Sequence, residues 1–262
     1  MTFGPVGIRC PDHASTGART DSPRRAVRRT TASLTRSGPF VTFTLIGLNV
    51  GVFLLELLLG AGLGARSGWI FEHGALVIER PFSYGIGGLS EGEWWRVITS
   101  TFLHGNLVHL GINMLVLWII GPPLEEYFGH GRYALLYIVS GLAGSAGALI
   151  IGSLDSLFAP PVSAVTVGAS GAIWGIMGAA LVLEARKIYV FGGQAMGLVL
   201  FNLVITFLIP GISIGGHIGG LIGGGLCALA FSSLRRTPAL ATLSVAAVGA
   251  VSVALAVSQV QI

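Results

Sequence analysis

The chain has 262 residues, 53% of them hydrophobic and only 10% charged. Soluble globular domains carry about 25% charged residues, so this composition excludes an ordinary water-facing protein and points to lipid. The formal charge of +4 does not indicate nucleic acid as a partner, because seven of the fifteen basic residues (Arg9, Arg19, Arg24, Arg25, Arg28, Arg29 and Arg36) crowd the N-terminus. A basic tail ahead of a hydrophobic run sets membrane orientation.

Residues 1–38 read as a disordered cytoplasmic tail. No apolar segment follows the charges before Phe40, so the tail does not resemble a signal peptide. Cys10 and His13 have the spacing of half a zinc site, but no second pair follows, and no metal or cofactor is expected. Cys10 and Cys227 are the two cysteines, too few for a disulfide framework.

Seven stretches approach the ~20 apolar residues that a membrane span needs. They run over about 40–59, 103–120, 133–151, 168–183, 188–209, 212–231 and 239–257. The 40 glycines fall largely inside these runs, as in membrane helices packed through small residues. With the N-terminus inside, the inner segments carry twelve Lys and Arg and the outer loops three, Arg66, Arg80 and Arg96. The positive-inside rule therefore predicts a cytoplasmic N-terminus and an outside C-terminus. The long first loop, about 60–102, mixes Trp69, Phe71, Trp94 and Trp95 with acidic residues. It reads as a segment lying in the membrane interface.

Ionisable and polar groups inside a membrane are costly and mark function. Ser170 opens the fourth span and His217 lies near the start of the sixth, which gives both the same outer-half depth. Gly171, Gly175 and Gly178 form a small-residue ridge on one helix. Gly216, Gly220 and Gly224 form another. Two such ridges let backbones approach, bringing a serine hydroxyl within reach of an imidazole base, as nucleophilic catalysis requires. Trp174, one turn after Ser170, is placed to pack on the His217 ring. Glu184 and Asp155 lie at loop edges away from the pair, so a Ser–His dyad is expected rather than a triad. On the second span, His109 and Asn113 are i, i+4 neighbours with Asn106 at i−3, while His104 stands elsewhere around the helix. Asn113, His109 and the Ser170 amide are candidate oxyanion donors.

Five motifs stand in one order: Glu93-Trp-Trp-Arg96, His104-Gly-Asn-Leu-Val-His109-Leu-Gly-Ile-Asn113, Gly121-Pro-Pro-Leu-Glu125-Glu-Tyr-Phe-Gly129, Gly168-Ala-Ser170-Gly171, and Gly216-His217-Ile-Gly-Gly220. Over about residues 40–232 this pattern resembles the rhomboid family of intramembrane serine proteases. The resemblance implies an all-α polytopic membrane protein. Its six-helix core covers 39–232, and a seventh C-terminal transmembrane helix lies in 233–262. It implies Ser170 as nucleophile, His217 as base, and His109, Asn113 and the Ser170 amide as oxyanion site. Gly168, Trp174 and His104 have supporting roles, Trp174 standing where the family often has Tyr or Phe. It further implies a movable fifth span, containing Met196, Phe201 and Phe207. The expected substrates are single-span or polytopic membrane proteins, cut near the outer surface of the plasma membrane. The competing expectation is a non-catalytic rhomboid-like protein that holds client helices; such proteins generally lack the nucleophile or base.

Overall fold

A computed structural model describes residues 2–4, 7–9, 38–63, 67–77, 88–156, 165–208 and 212–260. The chain divides into two compact units, Met1–Gly38 and Pro39–Ile262. In the first, β1 (Thr2–Gly4) pairs antiparallel with β2 (Gly7–Arg9). Residues 2–4 and 7–9 are thus paired strands within the tail expected to be disordered. The rest of that tail, with Cys10 and His13, lies outside the described residues.

The second unit is helical. Its elements are α1 (Phe40–Leu58), α2 (Trp69–Gly74), α3 (Arg96–Thr99), α4 (Leu107–Phe128), α5 (His130–Ser156), α6 (Ser170–Ala185), α7 (Ala195–Leu208), α8 (Ile214–Ser233) and α9 (Pro238–Ser258). Five of these, α1, α4, α5, α8 and α9, are long and apolar enough to cross a membrane, while α6 and α7 are shorter apolar helices. All seven expected spans are therefore helices, with shifted ends. The second starts later than expected, because Asn106 caps it by accepting the His109 N–H at 2.8 Å. It also runs on through Pro122 and Pro123 to Phe128, past the end near residue 120 expected from the apolar run. The fifth begins only at Ala195.

Glu125, near the end of α4, explains why the Gly-Pro-Pro stretch is held in place. Its carboxylate accepts the N–H groups of Val41 and Thr42, both at 2.7 Å, and the Thr42 hydroxyl at 2.6 Å. These amides belong to the first turn of α1, which has no side-chain cap of its own. A carboxylate there satisfies orphan donors and complements the helix dipole.

The core of the unit is the contact of α5, α6 and α8. A Cβ placed on Gly220 would collide with the carbonyl oxygen of Gly171, and one on Gly224 with that of Gly175. A Cβ on Gly144 of α5 would lie 3.0 Å from Gly171 Cα and 3.0 Å from Gly216 O. At these points the backbones touch with no side chain between them. α9 packs on α5 and α8, and its Gly249 faces Val139 of α5.

The loop between α1 and α4 is folded around a buried arginine. Arg96 is fully buried. Its Nε donates to Glu93 at 2.7 Å, Nη1 to the Ala75 carbonyl at 2.7 Å and Nη2 to the Glu72 carbonyl at 2.8 Å. Trp95 Nε1 donates to the His73 carbonyl at 2.9 Å. Of the loop aromatics, Phe71 is buried, while Trp69, Trp94 and Trp95 are exposed, as an interfacial segment requires.

Two outcomes follow. Gly220→Val should destabilise the folded protein by about 3 kcal/mol or more, because the rigid Gly171 backbone cannot yield; a thermal melt in detergent reads this. Arg96→Lys should cost about 3 kcal/mol in the same melt, since an ammonium cannot reach three acceptors arranged for a guanidinium fork. A melt unchanged by either substitution contradicts the corresponding account.

Candidate active site

The segment leading into α6 is held as an extended strand. Leu76 and Thr166 exchange backbone hydrogen bonds at 3.0 and 2.9 Å, and the Gly168 N–H donates to the Ser100 carbonyl at 2.9 Å. Gly168 itself has φ +127°, a conformation open to glycine and strained for other residues. It also leaves no room: a Cβ there would lie 2.8 Å from His109 Nε2 and 3.8 Å from Asn113 Nδ2. The missing side chain is what brings the His109 ring and the Asn113 amide against the backbone just before Ser170.

Ser170 is the first residue of α6, so its backbone N–H has no intrahelical partner and points along the positive end of the helix. α6 has 16 residues, which at about 1.5 Å each span roughly 24 Å, short of a ~30 Å hydrocarbon core. Arg186 and Lys187 follow its other end.

Ser170 and His217 line a single cavity of about 270 Å³, together with His109, Asn113, Gly168 and Trp174. The His217 ring, 6% exposed, stacks on Trp174 with centroids 4.8 Å apart and planes 20° from parallel. The spacing of Ser170 and Trp174 along α6 is thus matched by a ring stack across to α8. Asn113 is buried, and among the described residues its Nδ2 has no hydrogen-bond partner. A buried donor left unmatched is costly, and here its residue lines the cavity. His104 is buried, off the cavity wall, with its ring edge-to-face on His109 at 5.1 Å, so it supports His109 from behind.

Two further residues were not singled out from the sequence. Asn202 and Thr206, one turn apart on α7, line the cavity, and Thr206 Oγ1 lies 2.8 Å from His217 Nδ1. Met196, Phe201 and Phe207, the large side chains of the same helix, lie on its exposed face and are more than half exposed. The polar i, i+4 pair in an otherwise apolar helix was the available signal.

This architecture and cavity define a multi-pass membrane protein with a serine and a histidine lining one partly polar cavity. The Rhomboid domain family model matches residues 91–234, and the chain belongs to the rhomboid family. It is 34% identical over 208 residues to rhomboid protease GluP of Bacillus subtilis, covering 78% of this chain and 37% of that protein. It is 28% identical over 234 residues to rhomboid protease AarA of Providencia stuartii, covering 80% and 79%. With RHOMBOID-like protein 6, mitochondrial, of Arabidopsis thaliana it shares 30% identity over 220 residues, covering 82% and 59%. The chain thus spans well under half of GluP and nearly four fifths of AarA.

Gly168→Ala tests the site's construction. It should lower thermal stability by about 1–3 kcal/mol through backbone strain and shift the ring resonances of His109. Unchanged His109 resonances would mean that the close contact does not exist in solution.

Proposed function

We propose that this chain is an intramembrane serine endopeptidase that cuts membrane-spanning segments of other proteins through a Ser170–His217 dyad. The observation that carries the reading is the shared cavity, with His217 held against Trp174 while Ser170 opens the neighbouring helix. The names of GluP and AarA as rhomboid proteases support the same class of chemistry.

A substrate's spanning helix hides its carbonyls in i→i−4 hydrogen bonds, so it must unwind locally before attack. Helix-weakening residues such as glycine favour this step, and family resemblance adds a preference for small residues before the cut. His217 takes the Ser170 hydroxyl proton as Oγ attacks the scissile carbonyl. The negative charge that develops on the carbonyl oxygen is received by the Asn113 amide, a His109 ring N–H and the Ser170 backbone N–H. The C–N bond breaks as His217 returns the proton to the leaving amine. Water then attacks the acyl-enzyme, losing a proton to His217; the acyl C–O bond breaks as His217 returns that proton to Ser170 Oγ, and the acid product leaves. The polar lining of the cavity suits the entry of water at membrane depth.

We also assign a plasma-membrane location with N-terminus inside and C-terminus outside, supported by the distribution of Lys and Arg. In that orientation Ser170 works near the outer surface. α9 carries no group in the cavity and serves packing against α5 and α8.

Purified protein and a single-span reporter substrate in detergent test the assignment. Ser170→Ala and His217→Ala should each abolish cleavage, and Ser170→Ala should also abolish labelling by a fluorophosphonate. Asn113→Ala should lower turnover by about 100- to 1000-fold. Cleavage at the parent rate in either dyad variant rejects the mechanism.

A further inference from the structure

The His217 ring has a neighbour that the dyad mechanism does not use. Nδ1 lies 2.8 Å from Thr206 Oγ1. Thr206 is buried on α7 at 4% exposure, and the same hydroxyl lies 2.9 Å from the Asn202 carbonyl oxygen one turn earlier. A hydroxyl carries one proton, and a carbonyl oxygen can only accept. Both contacts are satisfied together in one way: Thr206 donates to the Asn202 carbonyl and accepts from a protonated Nδ1. The lone pair of the neutral ring is then on Nε2.

We infer that Thr206 is a positioning residue that selects the Nδ1–H tautomer of His217 and so leaves Nε2 as the nitrogen that receives the Ser170 proton. The inference rests on the reading of Ser170 and His217 as nucleophile and base. The stack on Trp174 fixes the plane of the ring but not which of its two faces meets the indole. A half-turn would exchange Nδ1 for a carbon and keep the stack. The hydrogen bond to Thr206 removes that degeneracy. In serine-protease triads an aspartate holds the tautomer and also stabilises the imidazolium by its charge. A threonine supplies the first effect without the second, which suits a site where a buried carboxylate would be costly. Because Thr206 is on α7 and His217 on α8, the orientation of the base is also tied to the position of α7.

The bland reading is that Thr206 merely bonds its own helix backbone, as threonines in membrane helices do. The full-length chain in detergent separates the two. NMR of the histidine ring nitrogens, recorded on Ser170→Ala protein, should find the His217 proton on Nδ1. Adding Thr206→Val should shift the tautomer balance, and Thr206→Ser should preserve it. In the active protein Thr206→Val should lower kcat by about 3- to 10-fold, the weight of one neutral hydrogen bond, with KM unchanged and Thr206→Ser restoring the rate. A proton on Nε2 in the parent overturns the inference, and this holds even if Thr206→Val fails to fold. So does a tautomer balance indifferent to Thr206→Val, or a loss of rate that Thr206→Ser does not rescue. Cleavage that survives Ser170→Ala would instead sink the dyad, while the NMR result still decides the role of Thr206.

Discussion

The structure depends on backbone-to-backbone contact among α5, α6 and α8. Lipid tails are as apolar as leucine, so helices in a membrane gain little from hiding side chains and much from close packing. Here the closeness is extreme. Gly220 and Gly224 rest on the carbonyls of Gly171 and Gly175, and Gly144 of α5 fits against both partners. Any side chain at these points would push the axes apart. The first groups to separate would be those at the helix starts, Ser170 on α6 and His217 one turn into α8. The chemistry proposed for the site is therefore a consequence of what these positions lack.

Around this contact, polar groups are held by backbone more than by one another. Asn106 caps α4 and so orients the turn bearing His109. Gly168 turns where another residue would be strained, and its N–H is held by the Ser100 carbonyl. That carbonyl lies in the loop organised by Arg96, whose guanidinium gathers the Ala75 and Glu72 carbonyls. The loop in turn is pinned to α5 by Ser145, which donates to the Val97 carbonyl at 2.7 Å. At the far end of the unit, Glu125 ties α4 to the first turn of α1. Each link satisfies backbone groups that would be expensive to leave bare in a membrane.

Much of this was legible in the sequence because hydrophobic length and glycine spacing are local signals. The seven apolar runs, the ridges on α6 and α8, and the one-turn offset of Trp174 from Ser170 can all be read without a fold. The share of α5 in the core was not legible. Gly144 and Gly147 look like any glycines of a membrane helix until α6 and α8 are set beside them. The persistence of α4 through Pro122 and Pro123 was hidden because the helix there is held by a contact to α1, 83 residues away in sequence between Thr42 and Glu125. By itself, Thr206 carries no local signal, because a lone threonine in an apolar run usually bonds its own helix. The face of α7 that meets the cavity is its polar one, carrying Asn202 and Thr206, whereas the large side chains of Met196, Phe201 and Phe207 lie on its exposed face.

The central claim is that close helix approach puts Ser170, its base and the oxyanion donors around one point. An experimental structure of the protein after reaction with a fluorophosphonate tests this directly. The account predicts phosphorus bonded to Ser170 Oγ, with its oxygen about 3 Å from Asn113 Nδ2 and the Ser170 amide. Phosphorus on a different residue, or an oxygen turned away from both donors, would contradict it.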